Sequence, residues 1–156
     1  MSEEKSPLDI VEALAAAINR HDVDAIMQIV HDQHVFVDSL GNEVRGASAV
    51  RKAWEAYLAK VPDYWVRIDH GVLAPEYIAL FGAAGGTLAV DGQLKSDNWW
   101  ETTAAWRAEI AEGRVVKWQV YANNQPIGRL TKKGRPLRKK KTPKRESSRR
   151  KRAKRR

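Results

Sequence analysis

Charge divides this chain before anything else does. Of its 28 lysines and arginines, 17 fall within residues 129–156, beside a single acid, Glu146. Residues 1–128 keep 11 basic and 18 acidic side chains, a net −7, whereas the last 28 residues carry +16. The basic segment has only Leu130, Leu137 and Ala153 as apolar residues. Burying so few side chains cannot offset the entropy lost on ordering the chain. The expectation is a two-part protein: one domain over residues 1–128, long enough to enclose a core, and a polybasic tail over residues 129–156, disordered when free and suited to a polyanion.

All six tryptophans lie in the first part, and there is no cysteine. Disulfides and thiol nucleophiles are therefore excluded. The first five residues, MSEEK, lack the apolar stretch of a signal peptide. The longest uncharged apolar run, Tyr77 to Val90, contains three glycines and is shorter than the roughly 20 residues a membrane span needs. These features predict a soluble cytoplasmic protein with no membrane partner; the basic run allows nucleoid association, and in a eukaryote would read as a nuclear localisation signal.

Periodicity places the elements. Ser6-Pro7 opens a helix, with Asp9 in its first turn and Val11, Leu14 and Ile18 at helical spacing. Asp22 caps a shorter helix bearing Ile26, Ile29 and Val30. A strand follows over His34 to Ser39, with Phe36 and Asp38 on one face and Val35 and Val37 on the other. Ala47 to Lys60 keeps an apolar stripe through Val50, Trp54, Tyr57 and Leu58, and Pro62 stops it. Strands are predicted near Tyr64–Leu73, Tyr77–Val90, Asn98–Ile110 and Arg114–Ala122, with a bulge or bend at Gly85-Gly86. The order gives an α+β fold, a curved antiparallel sheet with helices on its concave face.

The segments AAINRHD, VFVDSLG and RGASAVRKAW, and the later WRAEIAEGRVVKWQVYANNQPI, resemble the nuclear transport factor 2-like superfamily, nearest to the SnoaL-like polyketide cyclases and ketosteroid isomerases. The resemblance covers about residues 8–127. It implies a cone in which the sheet wraps the long helix around an apolar pocket, and a homodimer formed through the outer sheet face. It is specific for fold and poor for reaction, because the superfamily holds enzymes and non-catalytic binders alike.

Asp38 falls on the position of the proton-shuttling carboxylate of ketosteroid isomerase, so the resemblance implies a candidate base. Read locally, an Asp before Leu40-Gly41-Asn42 is a turn residue that accepts main-chain hydrogen bonds. The isomerase's two oxyanion donors have no counterpart: the first-helix position is Leu14, and the late-strand position is Ala104 or Ala105. Losing one such donor typically costs on the order of 100-fold or more in rate, which argues against steroid isomerisation. Leu14, Phe36, Trp54, Tyr57, Trp106 and Trp118 are the expected pocket residues, and the aromatic ones could hold a small apolar or aromatic ligand or simply pack the core. Alternation favours Trp100, Thr102, Ala104 and Trp106 inside. A one-residue slip would turn Glu101 and Arg107 inward and make an acid/base site. His31 and His34 follow a helix end with no second cluster, so neither a metal nor a cofactor is expected.

Within the tail, Lys132-Lys133-Gly134-Arg135-Pro136, followed by Arg138, Lys139, Lys140 and Lys141, resembles an AT-hook. That family lays an Arg-Gly-Arg-Pro core into the narrow minor groove of A·T-rich DNA. Lys133 stands in place of the first Arg and lacks its flat guanidinium. A generic polycation would bind any phosphate backbone. Three functions remain open: a small-molecule-pocket domain tethered to nucleic acid, a non-catalytic DNA- or RNA-associated dimer with a vestigial pocket, and an acid/base isomerase, cyclase or hydratase using Asp38.

Overall fold

The computed structural model describes residues 3–133. Helix α1 (Pro7–Asn19) begins in a capping box: Ser6 accepts from the Asp9 main chain, and the Asp9 carboxylate accepts in return from Ser6 N–H. Asp22 caps α2 (Val23–Ile29) by accepting from Ala25 N–H at 3.0 Å. Strand β1 (Val30–Val37) and the short β2 (Glu43–Arg45) follow. Then come α3 (Ala47–Lys60), β3 (Trp65–Leu73), β4 (Ile78–Thr87), β5 (Trp99–Ala111), β6 (Arg114–Ala122) and α4 (Gln125–Lys133).

The six strands form one sheet in the order β2-β1-β6-β5-β4-β3. It is mixed, not wholly antiparallel, because β1 and β6 run parallel. Helix α3, a short 3-10 turn and the four strands β2 to β5 lie between β1 and β6 and supply the long connection that a parallel pair requires. Val30 opens β1 and does not belong to α2's apolar side. The apolar face of β5 is the inner one: Trp100, Thr102, Ala104, Trp106 and Ala108 are buried, whereas Glu101 is exposed. Trp106 stacks on Trp118 of β6, with ring centroids 6.0 Å apart. The helices cover this face, and α1, α3 and the inner strands share one core that includes Leu14, Ile18, Trp54 and Trp106.

The expected bulge at Gly85-Gly86 is absent, since β4 pairs with β5 through both residues without a shift. Close approach explains these glycines: a Cβ at Gly86 would run into Val61 Cγ1, and one at Gly85 would lie 2.6 Å from the Trp100 carbonyl oxygen. The irregularity sits instead on β3, between Ile68 and His70, opposite Gly82. A Cβ at Gly82 would overlap the Arg67 carbonyl oxygen and stand 2.8 Å from its carbonyl carbon. That obstacle is main chain and cannot swing aside as a side chain could. Gly82→Ala is therefore expected to destabilise the fold by on the order of 2 kcal/mol, seen as a lower urea midpoint at unchanged m value. An unmoved midpoint would contradict the geometry.

Helix α4 crosses the boundary placed at residue 128 from the change in charge. Ile127 and Leu130 pack against the core, which ties the first residues of the basic segment to the domain. Of the residues assigned to nucleic acid, Lys132 and Lys133 end this helix; Gly134, Arg135, Pro136, Arg138, Lys139, Lys140 and Lys141 lie outside the described residues.

Candidate functional site

A cavity of about 240 Å³ opens between α3 and the sheet. Its wall is built from Phe36 on β1, Asp38 just beyond it, Val50, Ala53, Trp54 and Tyr57 on α3, Tyr64 ahead of β3, and Trp118 and Val120 on β6. Helical spacing puts Val50, Ala53, Trp54 and Tyr57 on one side of α3. Strand alternation puts Trp118 and Val120 on one side of β6. The rings pack edge to face, Phe36 against Trp54 at 5.8 Å and Tyr57 against Tyr64 at 4.9 Å.

Asp38 is the one charged residue in the wall. The turn after β1 holds it tightly. Its Oδ1 accepts from Leu40 N–H and Asn42 N–H, both at 2.9 Å, and its Oδ2 accepts from Asn42 Nδ2 at 2.9 Å. Burial pushes the Asp38 carboxyl up, but the Asn42, Leu40 and Gly41 hydrogen bonds together outweigh it and hold the group below the ordinary carboxylate range. The turn role and the place in the cavity therefore coexist in one residue. Desolvation also raises the phenols, pushing Tyr57 up to about 12 and raising Tyr64 as well, and no hydrogen bond among the described residues offsets it there. Near neutral pH the cavity thus presents one carboxylate and two protonated hydroxyls.

Phe36, Asp38, Trp54, Tyr57 and Trp118 are brought together in this wall, but Leu14 and Trp106 are not. Leu14 is 1 % exposed and Trp106 is 2 %, both enclosed by other side chains. Tyr64, Val50, Ala53 and Val120 complete the wall without having been among the expected pocket residues. The alternation of Tyr64, Val66 and Ile68, beginning just after the Pro62 that ends α3, is the signal that points to Tyr64. At the isomerase's late-strand position, Ala104 faces inward and is buried, while Ala105 pairs with Phe81 and Tyr121, which project outward. Neither it nor Leu14 can donate a side-chain hydrogen bond.

The remaining polar candidates lie elsewhere. Arg107 projects from the opposite face of the sheet, 4.5 Å above the Tyr77 ring and 3.4 Å from Glu109. Asp97 and Glu101 are exposed. His34 is buried with Nδ1 2.7 Å from the Val115 carbonyl, and desolvation lowers its pKa. His31 instead meets Glu112 at 3.3 Å. Among the described residues, no three His, Asp or Glu side chains gather into a metal-binding group, and no helix is long and apolar enough to cross a membrane.

The sequence profile of the SnoaL-like domain matches residues 11–118. No curated protein matches the chain significantly. Among solved structures, a protein of ketosteroid isomerase-like fold from Catenulispora acidiphila, in complex with trimethylamine, is 18% identical, with a TM-score of 0.68 over 85% of this chain and 96% of that one. A proposed SnoaL-like polyketide cyclase from Shewanella denitrificans is 11% identical, with a TM-score of 0.69 over 82% of this chain and 99% of its own. IdmH, a proposed polyketide cyclase from Streptomyces antibioticus, is 18% identical, with a TM-score of 0.67 over 82% and 99%. Identities this low speak for the shared fold alone.

Proposed function

The chain belongs to the SnoaL-like domain family, and from that premise we propose that its body is a receptor for one small, largely apolar ligand, carried on a tail that binds nucleic acid. The cavity is the observation that carries the first half. A space of about 240 Å³ walled by five aromatic side chains and one carboxylate is unlike a packed core. It falls below the roughly 300–1,000 Å³ of pockets that enclose drug-sized molecules, so the ligand is smaller than a polycyclic polyketide. The trimethylamine complex of the Catenulispora protein supports a ligand of that scale in this fold.

Binding is favoured over turnover. A carboxylate held below its usual range is a weak base, and general base catalysis works best with a pKa near the working pH. The absent oxyanion donors point the same way. A second reading, acid/base isomerase, cyclase or hydratase chemistry at Asp38, draws on that residue's place in the cavity wall; it requires Asp38→Asn to abolish turnover of a bound substrate while the fold survives. Exposed Trp99, Phe81 and Tyr121 support a homodimer formed through the outer sheet face.

The nucleic-acid half rests on the +16 of residues 129–156 and on the AT-hook-like run from Lys132 to Lys141. For the cavity, native mass spectrometry of full-length protein after exposure to a metabolite extract is decisive. Wild type is expected to retain one small molecule per chain. Ala53→Leu, which places a larger side chain in the cavity, is expected to retain none. A wild type that retains nothing, or a variant that keeps the same molecule, leaves the pocket vestigial.

A further inference from the structure

Resting on the reading of the cavity as a ligand site, we propose that its ligand is a small organic cation of the alkylammonium class, with the charged head beside Asp38 and the alkyl groups against the aromatic wall. The sign of the charge comes first. One ionisable carboxylate faces the cavity, and no Lys, Arg or His lines it. An anion would meet uncompensated repulsion. A neutral apolar ligand would strip water from the carboxylate and return no partner, which is costly for a charge. A cation supplies the partner.

The wall adds a second, independent attraction. Phe36, Trp54, Tyr57, Tyr64 and Trp118 make up five of the nine lining residues. The faces of such rings carry negative potential, and a cation within about 6 Å of a ring centroid is drawn to it, most strongly when desolvated. Arg67 over Trp65 and Arg107 over Tyr77 are the cation–ring pairs among the described residues. Both lie away from the cavity, so its own rings have no cation from the described protein.

The turn that weakens Asp38 as a base suits it to this role. Two main-chain bonds converge on Oδ1, while Oδ2 takes one bond, from Asn42, and retains acceptor capacity. The carboxylate is held in position by its own turn before any ligand arrives, so little rotamer freedom is lost on binding.

Titration calorimetry with full-length protein tests the proposal, using choline and its uncharged carbon isostere, 3,3-dimethylbutan-1-ol. The two probes share shape and hydroxyl and differ in charge. Wild type is expected to bind choline at least about tenfold more tightly than the isostere, a preference of about 1.4 kcal/mol. Asp38→Asn is expected to lose most of that preference, and Ala53→Leu to lose choline binding. Equal affinity of wild type for both probes overturns the cation and leaves the small-ligand reading standing. Choline binding unchanged in Ala53→Leu places the site elsewhere and also overturns it. Binding of neither probe overturns it too, and the native mass measurement then decides the fate of the pocket itself. Because the two probes are compared on wild type, a failure of Asp38→Asn to fold does not blunt the test.

Discussion

Full-length protein is expected to bind duplex DNA at physiological salt, and protein ending at Lys133 is expected to lose that binding. Residues 134–156 hold 14 of the chain's 28 basic residues and a single acid. Without them the chain carries 14 basic and 18 acidic residues, a net −4, which repels a phosphate backbone. With them, each phosphate neutralised releases counterions, and log affinity falls linearly with log salt at about −0.9 per contact. If about half of the 14 basic residues reach phosphates, affinity drops about 10³–10⁵-fold between 50 and 200 mM salt. Truncation at Lys133 keeps α4 whole, so loss of binding cannot be assigned to a damaged domain. Salt-series titrations on A·T-rich and G·C-rich duplexes read both the slope and the preference. A generic polycation gives one slope and no preference; an AT-hook keeps an A·T preference at higher salt. Equal binding by full-length and truncated protein would end the tether proposal.

Trp106→Ala is expected to be the most damaging single substitution in the core. The side chain is 2 % exposed, stacked on Trp118 and enclosed by the inner faces of the sheet and helices. Truncating a buried Trp to Ala typically costs about 3–5 kcal/mol, from lost transfer energy and the cavity left behind. A domain has only about 5–15 kcal/mol of stability in all, so about a fifth or more is forfeited and the melting midpoint falls by roughly 10 °C or more. The indole N–H of Trp106 is buried without a hydrogen-bond partner, a penalty already present in the wild type. Trp106→Phe removes that donor and keeps much of the ring, so its cost is expected to stay under about 1.5 kcal/mol. Equal losses for Ala and Phe would show that the indole's full shape, not its bulk, is what the core needs.

The long-range features of this fold were the hard ones to read. Helix α3 has the bounds its apolar stripe and Pro62 predict, and β6 runs from Arg114 to Ala122 as expected, because both are written in consecutive residues. The three-residue β2 is too short to show a period. The parallel partnership of β1 and β6 joins segments some 80 residues apart, and no local pattern encodes it. The same limit governs the site. Trp106 and Trp118 look alike as inward-facing aromatics, yet only Trp118 meets the cavity, since that depends on what stands opposite. Asp38 was legible twice, as a turn residue from Gly41 and Asn42 and as a site residue from the family resemblance. The hydrogen-bond geometry shows the turn holding the carboxylate below its ordinary range at the cavity wall.

The Trp106–Trp118 stack has an optical consequence. The two indoles lie 6.0 Å apart with planes 25° from parallel, close enough for their electronic transitions to couple. A fixed twist between coupled chromophores is chiral, so the pair should imprint a signed couplet on the ultraviolet dichroism. One member faces the cavity and the other does not. Any occupant that touches Trp118 alters the energy of one partner alone and detunes the pair. The couplet is therefore expected to serve as a label-free gauge of occupancy and to vanish when either tryptophan is removed.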